Sequence, residues 1–409
     1  MEDSGVFLNI VNHLDIRHGG GKGNPTDTQV YSPIDIVDSR PTVSFNTITD
    51  AARAAVAATP DSFNDAGGRI GPDIVGNYLD GNTNNGLFVG IPTALGGSVQ
   101  TMTVSGRFDD TDITHILTES LIIEGNPGGP TLVGGTLVDF GDPIGEVLIG
   151  GTLEARPSGR LVIDPGTVVK LSEARIEAAR GAATLIAEGT QNSPIIFTSL
   201  DDSRYGGSGV FDTNTGIGTA APGDWGGLFF SEASSGSIDQ AVIAYGGGVV
   251  PTGASAGGAA DSFNAIEIHQ ADVRVANSLI TDNASGNAST DRFGRGTNEA
   301  AAIFVRGAQP ILIGNEIVNN AGPAININAN ALTYESLVDS GRSIGSADRF
   351  SQFDDNRGPL VRLNETDNNT INGMKVRGQE LTTDSVWDDS DIVHVLSGEV
   401  VVENLHTYS

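Results

Sequence analysis

Five oxygen-bearing side chains between residues 201 and 224 have the makings of a calcium site: Asp201, Asp202, Asp212, Asn214 and Asp224. The run Asp212-Thr213-Asn214-Thr215-Gly216 alternates oxygen donors and closes on glycine, a short relative of the loop that wraps a hard divalent cation in carboxylate and amide oxygens. It lacks a third acid and a distant glutamate, so Asp201, Asp202 and Asp224 on flanking segments would have to supply them. Two more acidic runs, Asp109-Asp110-Thr111-Asp112 and Asp388-Asp389-Ser390-Asp391, each precede an Ile-x-His-x-Leu segment. Their carboxylates suit either a cation or a turn in which Asp oxygens accept backbone N–H groups. Because both runs recur, they belong to a repeated unit.

Composition narrows the partners. The 409 residues carry a net charge of −29, with 51 acidic against 22 basic side chains. Nucleic acid and anionic membrane faces call for the opposite sign and are excluded as partners. Cysteine is absent, so disulfides, thiol chemistry and the usual structural zinc sites are excluded too. No stretch approaches the roughly 18 apolar residues of a membrane span, and Met1-Glu2-Asp3 does not open a secretion signal.

The elements that must position these groups are short strands. From Gly151 to Ser199, apolar pairs and triples such as Leu161-Val162-Ile163, Val168-Val169, Leu185-Ile186 and Ile195-Ile196-Phe197 alternate with Gly, Pro, Ser and Asn, and no helical period is present. Leu161–Val169 and Leu185–Phe197 are one phrase stated twice, with a period of about 24 residues. A repeat of strands and turns alone cannot bury its own apolar face and must stack on copies of itself, as in a β-solenoid. The 55 glycines suit the tight corners of such a fold.

The phrases LVIDPGTVVKL, LIAEGT, SPIIFTS, GDWGGLFF and IDQAVIAYGGG resemble the right-handed parallel β-helix (pectin-lyase-like) repeats of very large secreted or surface-displayed bacterial proteins. The resemblance covers Gly151 to Asn330 best and implies an all-β fold, a right-handed parallel β-helix of three-stranded coils with projecting loops. It also implies an extracellular or cell-surface location. Enzymes share this fold, but the galacturonase motifs Asn-Thr-Asp, Gly-Asp-Asp and Gly-His-Gly are missing. Arg175, Arg180, Arg274 and Arg306, the candidates for a lyase-type base, have no acidic cluster at an evident spacing. No catalytic residue is assigned.

A longer repeat overlies the short one. LDIRHGGG from Leu14 matches AVIAYGGG from Ala241, GLFVGI from Gly86 matches GPLVRL from Gly358, MTVSG from Met102 matches MKVRG from Met374, and the two acidic runs align. Residues 1–125 therefore read as the C-terminal part of a first large unit. Residues 126–409 read as a second, nearly complete unit continuous with it, the whole being a slice of a tandem array. Within it, Ser203–Gly223 and Val249–Ser262 are expected as projecting loops, and Gly125–Gly151 as a Gly- and Pro-rich passage through which the coils continue. Asp50–Thr59, rich in alanine, is expected as a short helix. The asparagines at 315, 319, 320, 326, 328, 330, 364, 368, 369 and 372 are expected in ladders and turns, the histidines as packed or surface strand residues rather than ligands, and Trp225 as a plug.

The function that follows is structural: an elongated rod for display, adhesion or matrix contact, with neighbouring repeat units, polysaccharide or other cell-surface components as partners. The rival is a polysaccharide-binding or polysaccharide-degrading protein that uses one sheet face as a groove, walled by the projecting loops.

Overall fold

A computed structural model describes residues 9–25, 29–91, 99–128, 131–139, 141, 146–154, 158–206, 213, 218–252, 260–287, 292 and 294–403. Among them the secondary structure is almost entirely strand, with a few short 3-10 turns. Three long parallel sheets of ten, nine and seven strands carry the architecture. From Arg175 to Asp367 successive strands of the solenoid visit the nine-, seven- and ten-stranded sheets in turn, and each pairs with its counterpart one round later. This elongated order is that of a parallel β-solenoid.

The short repeat sets the register. Leu161, Val162 and Ile163 pair with Leu185, Ile186 and Ala187, and Val168 and Val169 with Ile196 and Phe197. Inward-facing positions then stack like upon like: Ile163, Ala187, Ile238, Val275, Leu312 and Val361 form one buried column along the seven-stranded sheet. A single apolar core runs from Ile36 to Val376. Trp225 is fully buried in it, donates Nε1–H to the Ala244 carbonyl at 2.8 Å, and lies against Gly246, where an added Cβ would stand 3.2 Å from the ring.

Asparagines hold the corners. The Asn320 amide oxygen accepts Asn283 N–H at 3.1 Å, the Asn369 oxygen accepts Asn320 N–H at 3.1 Å, and the Asn372 oxygen accepts Asn369 N–H at 2.9 Å. Asn315 and Asn364, and Asn46 and Asn77, repeat the arrangement. Asn319 and Asn368 instead occupy left-handed corners, where φ is 60° and 51°.

Four expectations change. The alanine run is not helical: Ala54–Ala58 is a strand buried throughout, because it lies between Ile34–Ile36 and Asn84–Val89, where small side chains fit and tertiary pairing overrides helix propensity. Beyond Ile123 the rounds do not continue: Thr131–Val133 pairs antiparallel with Thr152–Glu154, and Thr136–Asp139 with Glu146–Ile149. This hairpin arm leaves the solenoid, and Leu121–Ile123 pairs directly with Arg175–Ala178. Within 249–262, Val249–Pro251 and Ala260–Ser262 are strands of a second antiparallel hairpin.

The fourth change concerns the long repeat. Leu87 pairs with His115, and Met374 with His394, so Gly86–Val89 corresponds to Gly373–Val376 rather than to a segment starting at Gly358. Short apolar strands look alike in sequence, and only pairing distinguishes neighbouring rounds. At both places two sheets stop and one runs on. The three-stranded sheets end at Asp73–Val75 and Tyr78–Asp80 while the ten-stranded sheet continues. Later the seven- and ten-stranded sheets end at Leu360–Arg362 and Glu365–Asp367 while the nine-stranded sheet continues to His394–Leu396.

Candidate functional site

At both of these junctions the acidic runs serve the backbone. The Asp110 carboxylate accepts Ile74 N–H at 2.8 Å and Asp112 accepts Gly76 N–H at 2.7 Å; Asp389 accepts Val361 N–H at 3.1 Å and Asp391 accepts Leu363 N–H at 2.7 Å. Side-chain oxygens thus stand where the next strand's carbonyls would be, and the sheet edge is closed. Burial pushes Asp110 up to about 8, with Asp109, Asp73 and Asp112 adding to the shift. Asp389 is pushed up to about 7, again chiefly by burial, although Arg362 opposes it.

The sequence-derived calcium residues are distributed differently. Asp202 is nearly buried: its carboxylate accepts the Thr198 hydroxyl at 2.5 Å and the Arg204 guanidinium at 3.0 Å, and despite burial these bonds keep it below the usual carboxylate range. Asp224 accepts the Ser199 hydroxyl at 2.6 Å and Ala221 N–H at 2.9 Å. Asp201 is half-buried, and its N–H donates to the Ser199 hydroxyl oxygen at 3.1 Å. Asp212 and Asn214 lie outside the described residues. Among the described residues no group of three or more His, Asp or Glu is arranged to hold a metal ion.

The most elaborate polar surface lies on the outer face of the seven-stranded sheet. Between Leu332 and Leu360 the chain leaves the solenoid and crosses this face as a strap. Its underside, Leu337, Phe350 and Phe353, packs on Ala276, Ile311, Ile313 and Leu360. Arg274 anchors it, donating Nε–H to Asp339 at 2.7 Å and Nη1–H to Asp239 at 2.6 Å. Burial opposes the Arg274 charge, but the two carboxylates outweigh it and leave the pKa raised. Asp339 also accepts Gly341 N–H at 3.0 Å and Phe350 N–H at 2.8 Å, so it stays ionised against its burial. At the strap's tip, Ser343 donates from N and Oγ to Glu188 at 2.7 and 2.9 Å, and Arg342 donates to the Gly189 carbonyl.

Two surface cavities flank the strap. One, of about 390 Å³, is lined by Thr190, Gln191, Asn277, Arg342 and Asp348 among others; the second, of about 360 Å³, by Thr184, Ser235, Ser237, Asp272, Arg274 and Ser343 among others. Both present hydroxyl and guanidinium groups to solvent, and the first adds the Gln191 and Asn277 amides. The chain matches no protein-family model, no curated protein and no solved structure.

A second polar cluster covers the nine-stranded sheet, where Glu177, Phe229, Glu267, Phe304, Asn326 and Lys375 are in register on its outer face. Glu267 is wholly buried. It accepts two bonds from Arg292 at 2.9 and 2.6 Å and Asn264 N–H at 3.2 Å, and lies 2.7 Å from His269 Nε2. His269 is packed between Phe229 and Phe304.

The fold supplies acidic partners to three of the arginines considered for a base. Arg274, Arg175 and Arg306 all lie among acids, since Arg175 pairs with Glu177 at 2.5 Å and the charges of Glu267 and Glu299 act on Arg306. The Glu177 signal was present as an i, i+2 pair on one strand face, and Asp339 had none, since it arrives on an irregular strap.

Proposed function

We propose that the chain is a structural segment of a large surface-displayed or secreted bacterial protein, a right-handed parallel β-helix of three-stranded coils, pectin-lyase-like, that serves as a rod for display, adhesion or matrix contact. The observation that carries this reading is the stacking of strands on one core, continuous through the ten-stranded sheet, which makes length and lateral surface. At about 4.8 Å per strand the ten-stranded sheet alone spans roughly 45 Å. Small-angle scattering tests it: a pair-distance distribution with a tail beyond the diameter of a sphere of the same mass is expected, and one confined to that diameter would overturn it.

Polysaccharide binding along the strap is the second reading, favoured by the two polar cavities that share Arg342. Binding to a panel of acidic and neutral polysaccharides that falls in Arg342→Ala would support it; equal binding by both proteins would not. A calcium ion held by Asp212, Asn214, Asp201, Asp202 and Asp224 is part of the same proposal. A melting temperature that rises with calcium in the protein, but not in Asp212→Ala, is the expected outcome.

A further inference from the structure

We infer that the end face carrying Trp387, Leu396 and Val402 is an interface for another repeat unit of this kind, and that the element it takes is a three-strand round like Arg160–Ala178. The inference rests on reading the chain as a rod of stacked rounds, and its template is inside the molecule.

Residues 101–123 and 380–402 make the same junction position for position. Thr101 sits beside Ile122 and Glu380 beside Val401. Phe108 stacks on His115 at 4.6 Å and Trp387 on His394 at 5.4 Å. The four Asp-to-backbone bonds described above fall at matching places.

The junctions differ in what lies beyond. At the first, Ser105–Phe108 pairs outward with Arg160–Ile163, His115–Leu117 with Val168–Leu171, and Leu121–Ile123 with Arg175–Ala178. Phe108, Leu117 and Ile123 are each 0% exposed as a result. At the second, the matching Trp387, Leu396 and Val402 are 39%, 55% and 75% exposed, and the nine-stranded sheet ends at His394–Leu396. His115 is wholly buried, with its pKa lowered to about 3 by desolvation, whereas His394 is only half-buried. Among the described residues the end face therefore offers an open strand edge beside an apolar strip, which a parallel round with aliphatic inward positions fills in both respects. The acid-capped edge at Asp389 and Asp391 is closed to pairing, so the next round can add only at the open edge and in one register.

The test extends the protein after Glu403 with a second copy of its own residues 125–199, Glu403 being the counterpart of Glu124. Trp225 is buried, so acrylamide quenching of tryptophan emission reports on Trp387. Quenching is expected to fall severalfold in the extended chain and to return when Leu396→Asp is added to it. The proton resonances of His394 should show a lower pKa in the extended chain than in the protein itself. Unchanged Trp387 quenching overturns the inference, whether the added segment is folded or is cleaved by protease like an unfolded chain. Scattering from the unextended protein is a separate measurement: a rod profile combined with unchanged quenching removes the interface alone, whereas a spherical profile removes the rod as well.

Discussion

At the scale of single residues, the acids that close the sheet edges make stability depend on pH. An unfolded aspartate titrates near ~4, and Asp110 in the fold at about 8. A raised folded value means that the group's contribution is complete below the unfolded pKa and is lost as pH rises through the folded one. Asp389, at about 7, acts in the same direction. Asp110→Asn keeps an oxygen for Ile74 N–H without the charge. Its melting temperature is expected to match the parent below about pH 4, to rise above it progressively as pH increases, and to exceed it at pH 9 by the equivalent of about a few kcal/mol. A variant less stable than the parent at pH 9 would contradict this. His115 works the other way, costing stability only as pH falls below ~6.5. Asparagine ladders carry a second prediction. Asn320→Ala strips the buried Asn283 N–H and amide of their acceptor, which costs about 2–4 kcal/mol in denaturant unfolding. The ladder role of Asn320 and Asn369 was legible because an amide both donates and accepts and suits a strand corner, whereas the acidic runs suited a cation and a backbone acceptor equally. That Asp110 bonds a strand some 36 residues earlier was not legible, since the pairing depends on which round it follows.

At the scale of elements, the strap depends on one arginine. Arg274→Met keeps much of the side-chain volume but leaves Asp339 buried without its cation and Asp239 with only Arg342, at 3.5 Å, and breaking such a buried pair typically costs about 3–5 kcal/mol. The strap should then detach, and limited proteolysis should cut between Gly341 and Ala347 before the solenoid is touched. Adding Asp239→Asn and Asp339→Asn to the same protein is expected to recover most of the loss, because the uncompensated charges go. Survival of the strap in Arg274→Met would assign its anchoring to the Phe350 and Leu337 packing instead. Sequence pattern located the strands of the regular rounds well, since Leu161–Ile163 and Leu185–Ala187 share both period and punctuation. It failed on Ala54–Ala58, whose composition favours a helix while its neighbours on both sides supply strand edges. It failed also on the arm from Thr131 to Glu154, whose strands were visible but whose antiparallel pairing has no signature distinct from that of a round.

At the scale of the whole molecule, stability of stacked repeats is nearly a sum of rounds and of the interfaces between neighbours. A complete round is therefore removable and part of one is not. Deleting Arg160–Ala183 places Thr184 after Gly159, in the position Arg160 held, since Arg160 and Thr184 are register partners. Thr184–Glu188 then lies against Ser105–Phe108, Ile195–Ser199 against His115–Leu117, and Gly227–Phe230 against Leu121–Ile123, each replacing a strand that it formerly paired with. Apolar columns stay apolar, because Leu185 and Ala187 take the inward places of Leu161 and Ile163. The buried bonds of Lys170 to the Asp202 carbonyl and to Thr213 are lost with the round, so some destabilisation accompanies the change. The shortened protein is expected to keep its strand-type circular dichroism and cooperative melting, with a fall of roughly a few kcal/mol. Deleting only Arg160–Leu171 removes strands from two sheets and leaves Arg175–Ala178 in the third, so every later round is offset against the earlier ones. That chain should lose cooperative melting and aggregate through its unpaired edges. If both deletions melt alike, the rounds are not the units of stability, and the rod must be held by its loops and straps.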